Sequence, residues 1–343
     1  MGFSEGVDVV SDGFRPLVTI VIPVYNGGDF LAEAIQSALD QSYPAIEVIV
    51  VNDGSNDGGA TECIARSFGE SIRYLPKDNG GVASALNLAI REMSGDYFSW
   101  LSHDDLYDKE KISQQVAFLS VHGSASTIVY SDYSIFTNKH VSNSVPVTMP
   151  GVNPVNFRYW ITSESALHGC SLLIPRTAFD SCGCFNENLR TTQDYELWFR
   201  MAGQYRFLHL PKVLMSGRSH ANQDTHKIAD LAFAEARNLY LGFVKSIQHF
   251  EVPGSVPSEI GASYLRLASG LWQRGFDEAA LYCAGKARDF GVSLVQVHGV
   301  HLSAYSAKIV RRSARRLLTP QSRQVIRRFF IRFSAFFRGR QLP

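Results

Sequence analysis

The chain has 343 residues, 45% of them hydrophobic and 12% aromatic, and a net charge of +1. That is enough apolar material for a large core and more than one domain, and it excludes a disordered or fibrous protein. The near-neutral charge hides an asymmetry: residues 308–343 carry eleven Arg or Lys and no acid, leaving the remainder near −10, which points to a partner for the tail.

The amino terminus, with acids and glycines, lacks the basic-then-apolar order of a signal segment. No run approaches the ~20 apolar residues of a membrane span. Cys63, Cys170, Cys182, Cys184 and Cys283 are odd in number and show no metal-finger spacing, so they read as reduced thiols. A cytoplasmic location is expected, on the inner face of the membrane.

Val18-Thr19-Ile20-Val21-Ile22-Pro23 is a β-branched run ended by proline and predicts a buried strand. Leu31, Ala34, Ile35, Ala38 and Leu39 recur at helical spacing, with Asp29 placed to cap that helix. A second strand is expected over 46–51, ending at Asn52-Asp53-Gly54-Ser55, then a helix near 60–68, a strand at 72–75, a helix over 82–93 and a strand at 97–101. Continuous apolar strands separated by helices predict a mostly parallel sheet covered on both faces. The turn Tyr25-Asn26-Gly27-Gly28 is neither a dinucleotide nor a phosphate-loop glycine motif. A strand at 171–174, a helix at 193–201 and an apolar segment near 205–214 complete this part. Beyond about 225 the pattern is helical, with two helices flanking Gly275-Phe276-Asp277.

Two acidic motifs carry chemistry. Ser102-His103-Asp104-Asp105 follows the strand at 97–101, so its carboxylates emerge at the carboxyl end of the sheet, where α/β folds hold ligands. Adjacent carboxylates suit a hard divalent cation, Mg²⁺ or Mn²⁺. Gln193-Asp194-Tyr195-Glu196 opens a helix and offers one more carboxylate as a base, with Glu196 turned about 200° away from Asp194.

The ordered pieces Ile22-Pro23-Val24-Tyr25-Asn26, Val50-Val51-Asn52-Asp53-Gly54-Ser55, Asn79-Gly80-Gly81, Ser94-Gly95-Asp96-Tyr97 and Asp104-Asp105 resemble the inverting glycosyltransferases of family 2. The resemblance implies a GT-A fold over about 17–220, Rossmann-like with helices on both faces. It implies a donor site at Pro23, Tyr25, Asn26, Asp53, Asn79 and Asp104, with Asp53 on the nucleobase. It further implies a metal held by Asp104, Asp105 and His220, Asp194 as the catalytic base, and an acceptor region near His168 and Trp198. The chain departs from the family pattern at Ser102, Leu86 and Gln193, where relatives often carry Asp, Arg and an acid. An ordinary neutral surface histidine remains the alternative for His168 and His220.

In the tail, Val325, Ile326, Phe329, Phe330, Phe333, Phe336 and Phe337 share one helical face within about 140°, with Arg327, Arg328 and Arg332 outside it. That pattern predicts an interfacial helix over 325–337 on an anionic membrane surface. No nucleic-acid partner is expected, because no recognised module accompanies the charge. The expected organisation is a catalytic domain at 1–222, a helical appendix at 223–300 and a basic amphipathic tail at 301–343. The expected activity is transfer of a sugar from a nucleotide-diphosphate donor to a glycan or lipid-linked acceptor in surface-polysaccharide assembly. The alternatives are a sugar nucleotidyltransferase and a non-catalytic relative.

Overall fold

The computed structural model describes residues 13–137, 144–164, 166–220 and 229–317, with side chains to 310. The amphipathic tail at 325–337 lies outside the described residues. The chain divides into two compact units, Met1–Val252 and Pro253–Pro343.

The first unit is built on one sheet. β1 (Val18–Val24), β2 (Ile46–Asp53), β3 (Arg73–Lys77) and β4 (Tyr97–Trp100) run parallel in the order β3-β2-β1-β4. Val18 and Ile20 to Ile22 are fully buried, as a strand covered on both faces requires. β5 (Leu106–Tyr107), β6 (Thr127–Thr137), β8 (Leu172–Pro175) and β9 (Arg206–Ser219) extend the sheet as β4-β8-β6-β9-β5, and β7 (Val145–Val147) pairs with β6. Here the directions are mixed: β8 is antiparallel to both β4 and β6, whereas β9 is parallel to β6.

α1 (Leu31–Leu39) buries Leu31, Ala34, Ile35 and Ala38, the face expected from their spacing. Asp29 does not cap it. Phe30 occupies the cap position without a side-chain bond, and the Gly27 carbonyl accepts from the amides of Phe30 and Leu31 at 3.2 and 3.0 Å. The preceding turn supplies the acceptor that Asp29 was expected to provide, which leaves Asp29 facing the cleft described below. α2 (Ala60–Ser67), α3 (Val82–Glu92) and α4 (Lys111–His122) follow their strands, and α5 (Phe157–Ser163), α6 (Thr177–Cys182), α7 (Gln193–Met201) and α8 (Ala229–Ser246) complete the unit. On α3, buried Asn87 exchanges hydrogen bonds with the Phe185 backbone, both at 2.9 Å, so this position ties down a loop.

In the second unit, α9 (Pro257–Arg274) and α10 (Asp277–Asp289) form the expected helical pair, followed by α11 (Leu294–Leu317). Gly275, at φ 88°, ends α9 in the left-handed conformation that glycine favours. Tyr264, Leu267 and Leu271 of α9 and Ala280, Cys283 and Ala287 of α10 are buried. No helix among the described residues is long and apolar enough to cross a membrane.

Candidate active site

Because β1, β2 and β4 are parallel, their carboxyl ends open on one edge, and a cleft of about 850 Å³ lies there. Pro23, Tyr25, Asn26, Asp53, Asn79, Asp104, Asp105, His168, Asp194 and His220 all line it. Trp198 does not. It is fully buried, packed edge-on against Phe185 with ring centroids 5.7 Å apart, so the acceptor-region role expected for it is corrected to a core role.

At one end, Asn26 and Asn56 join the loops after β1 and β2. The Asn26 amide donates to Asn56 Oδ1 at 2.8 Å, and the Asn56 backbone amide returns a bond to Asn26 Oδ1 at 2.8 Å. Asn26 adopts φ 55° to do so. The Asp53 carboxylate accepts from Lys77 Nζ at 2.6 Å and from the amides of Gly80 and Gly81 at 2.9 and 2.7 Å. Asp53 therefore anchors the 78–81 loop, whatever else it touches. Asn79 donates to the Asp53 carbonyl at 2.9 Å, and a Cβ on Gly54 would lie 2.5 Å from the Asn79 amide nitrogen. Only glycine permits that approach.

The acidic motif is positioned by β5, which follows it directly and pairs with β9 through Leu106–Ser216 and Tyr107–Met215. That register returns Arg218 and His220 to the motif. Asp104 Oδ2 lies 2.9 Å from His220 Nε2. The Arg218 amide donates to Asp105 Oδ1 at 2.9 Å, and its guanidinium bonds the Asp104 carbonyl at 2.9 Å and Glu33 at 2.7 Å while resting 4.2 Å over the Phe30 ring.

Carboxylate and imidazole at Asp104 and His220 are donors that fit a divalent cation. A second set adjoins them: among the described residues, ligand atoms of Asp105, His168 and Cys170 lie within 4.8 Å of one another. In this second set the two acids, Asp105 and Cys170, hold their protons tightly. Burial, reinforced by the neighbouring Asp104 charge, pushes the Asp105 carboxyl well above its ordinary range, and burial pushes the Cys170 thiol up. Ser102 faces Cys170 Sγ at 3.4 Å. His168 is driven down to about 4 by burial and is a neutral imidazole at physiological pH.

Asp194 opens α7. Burial raises its carboxyl to about 6, against hydrogen bonds from the Tyr195 amide at 2.8 Å and from its own amide. Glu196 turns away and pairs with Arg200 at 2.8 Å. Two features of this wall carry no signal in sequence. Glu235 of α8 accepts from the amides of Arg190 and Thr191, both at 2.9 Å, and from the Thr191 and Thr192 hydroxyls at 2.7 and 3.4 Å. It thereby holds the loop that leads into Asp194. Burial raises the Glu235 carboxyl, but those donors outweigh it and hold the group below its usual range. Arg190 itself lines the cleft.

A parallel sheet edge that gathers a carboxylate–imidazole pair, a carboxyl with a raised pKa and an acid-anchored glycine loop has the layout of GT-A glycosyltransferases. The chain belongs to glycosyltransferase family 2: the model for "Glycosyl transferase family 2" matches residues 19–183, and an uncharacterized glycosyltransferase of Rickettsia prowazekii is 42% identical over 243 residues, 70% of this chain and 75% of that protein. The chain spans 36–41% of the length of three other rickettsial relatives. Chondroitin synthase of Pasteurella multocida is 29% identical over 219 residues, 63% of this chain and 22% of that enzyme. In fold, the chain is similar to S. aureus TarS 1–349 in complex with UDP-GlcNAc (17% identity, TM-score 0.56, 84% of this chain and 92% of that one). It is also similar to the mannosyltransferase PcManGT of Pyrobaculum calidifontis in complex with GDP-Man and Mn²⁺ (19% identity, TM-score 0.53, 94% and 87%).

Proposed function

We propose that the chain transfers a sugar from a nucleotide-diphosphate donor to an acceptor hydroxyl in one inverting displacement. The observation that carries this reading is the shared cleft: Asp104 and His220 lie on the same wall system as Asp194, whose pKa of about 6 suits proton removal near neutrality. Asp194 takes the proton of the acceptor hydroxyl as its oxygen bonds to the anomeric carbon. The bond from that carbon to the diphosphate breaks on the opposite face, so the anomeric configuration inverts. Asp104 and His220 would hold Mg²⁺ or Mn²⁺, which when bound supplies charge neutralisation for the departing diphosphate. Arg190 adds a cation to the same cleft.

The acceptor we read as a glycan, lipid-linked in surface-polysaccharide assembly. The likeness to a chondroitin synthase supports a polysaccharide setting, and the Phe- and Arg-bearing sequence at 325–337 supports a membrane surface as the meeting place.

The test is a thermal-shift panel of UDP, GDP and ADP with Mn²⁺. At least one nucleotide is expected to stabilise the protein by mass action. Asp104→Ala or a chelator is expected to abolish that stabilisation while the unliganded midpoint stays within a few degrees. A protein whose melting is moved by none of them defeats the reading, and a product that retains the donor's anomeric configuration defeats the inverting step.

A further inference from the structure

Asp105, His168 and Cys170 come from two turns that meet at the carboxyl edge of the parallel strands. Asp105 ends the acidic motif before β5, and His168 and Cys170 flank Gly169 in the turn before β8. Ligand atoms of all three lie within 4.8 Å of one another. Asp105 and His168 line the cleft, which gives a small ion a way in, while Cys170 is 1% exposed. None of the three takes part in the transfer step described above.

The geometry suits a shared ion. The Arg218 amide holds Asp105 Oδ1 at 2.9 Å, which leaves Oδ2 to the other two groups. The Cys170 thiol donates to that Oδ2 at 3.5 Å, and His168 Nε2 lies 3.7 Å from it, beyond hydrogen-bond range. Zinc bonds of about 2.3 Å to sulfur and about 2.1 Å to oxygen or nitrogen, at the tetrahedral angle, put sulfur about 3.6 Å and nitrogen about 3.4 Å from the oxygen. The two observed edges, 3.5 and 3.7 Å, lie close to those separations. The Ser102 amide also donates to Cys170 Sγ at 3.3 Å, an outer contact of the kind that steadies a metal ligand. Tyr133 packs on the imidazole with ring centroids 5.1 Å apart. Ligation through Nε2 gives up one contact, the long 3.3 Å bond from the Cys170 amide to His168 Nδ1, because a neutral ligating imidazole carries its proton on Nδ1.

The donor set selects the ion. A thiolate with an imidazole suits zinc, whereas Mg²⁺ and Mn²⁺ favour oxygen. The Asp104–His220 pair has no sulfur, so the two sets sort a harder ion from a softer one. Without a cation, burial keeps the Asp105 and Cys170 protons in place. A dication supplies the charge that burial denies these groups, and both protons pass to solvent as it binds. Thiolate and carboxylate then neutralise the ion, as a buried charge requires. We propose that Asp105, His168 and Cys170 form a zinc site, separate from the Asp104–His220 pair, that clasps the acidic motif to the turn before β8. Three protein ligands leave the fourth position to water from the cleft. The site needs no nucleotide and does not depend on the transferase reading.

The test uses the full chain freed of metal by a chelator, without nucleotide, and Co²⁺ as a coloured probe for zinc. Wild type is expected to show a sulfur-to-metal charge-transfer band with the visible bands of a tetrahedral site, and Zn²⁺ should displace the Co²⁺. Zn²⁺ should also raise the melting midpoint by mass action. Cys170→Ser, which keeps the shape, should abolish the sulfur band. It should weaken Co²⁺ binding at least about 100-fold, since losing a ligand costs no less than losing an outer partner. Asp104→Ala should keep the band. Absence of the band in wild type overturns the proposal, as does a band that survives Cys170→Ser through another thiol such as exposed Cys63. A band lost in folded Asp104→Ala overturns the separation from the Asp104–His220 pair, and a midpoint unmoved by saturating Zn²⁺ overturns the clasp. If Cys170→Ser fails to fold, His168→Gln, which keeps the thiol, is expected to weaken Co²⁺ binding about as much, and an unchanged affinity overturns the proposal.

Discussion

Asp194→Asn separates the proposed base chemistry of this carboxyl from its contribution to the fold. Burial lifts the Asp194 carboxyl from 3.8 to about 6. Its folded pKa is therefore raised, so folding favours the protonated form. The stability associated with that form is fully present below the unfolded pKa near 3.8 and is lost as pH rises through about 6. Two units at about 1.4 kcal/mol each give up to about 3 kcal/mol of destabilisation at pH 8 from a buried charge. Asparagine keeps the side-chain oxygen that accepts from the Tyr195 amide at 2.8 Å and carries no charge. The variant is thus expected to be more stable than wild type by up to about 3 kcal/mol at pH 8, with the gap closing towards pH 4. Urea titrations of both proteins at pH 4 and pH 8 measure it. Turnover should move the other way, down about 10²–10⁴-fold, and the wild-type pH–rate profile should fall below an apparent pKa near 6. A variant no more stable than wild type at pH 8, with a parallel pH dependence, would falsify the assignment of a half-buried, charged carboxylate at this position.

Glu235→Ala releases the 190–192 loop. Turnover should drop about 10–100-fold, as small misplacements of a catalytic group do, with nucleotide affinity retained; unchanged turnover in steady-state assays rules out a positioning role. Gly169→Ala forces a methyl into the Trp100 ring and is expected to destabilise the fold by about 1–3 kcal/mol, visible as a lowered melting midpoint; an unchanged midpoint means the ring can move aside. For the tail, vesicle flotation should require anionic lipid and weaken with salt as arginine attraction is screened over ~10 Å at 0.1 M. Phe329→Asp with Phe333→Asp should release the protein from those vesicles, and flotation indifferent to both changes excludes an interfacial helix.

β1 and β2 were legible because each is dominated by an apolar run, and α7 was legible at Gln193–Met201. β6 carried no such signal. Its Ser131, Asp132 and Ser134 look like loop residues, yet all three are buried. Asp132 is matched by His209 at 2.8 Å and the Met149 amide at 2.7 Å, and Ser134 by Ser216 at 2.8 Å. Partners that distant in sequence cannot be seen from local pattern. The same holds at the site. The residue types at Asp104, Asp194 and His220 announced chemistry, and the cleft brings them together. The Asp53 bonds to Lys77 and two loop amides, the Glu235 latch and the burial of Trp198 depend on which chains meet across the sheet.

β9 has a consequence for how the molecule comes into being. The Arg218 bond to Asp105 spans 113 residues and the His220 bond to Asp104 spans 116. Contacts of such separation are slow to form, because a long loop must close before they reward the chain. The segment matched by the family model, 19–183, already contains Asp53 and Asp104 but ends before Asp194, His220 and Glu235. During synthesis, the acidic motif is thus made well before the strand that completes it. A nascent chain would acquire its fold's parallel half early, and the partners of the acidic motif only when the last strand of the sheet docks.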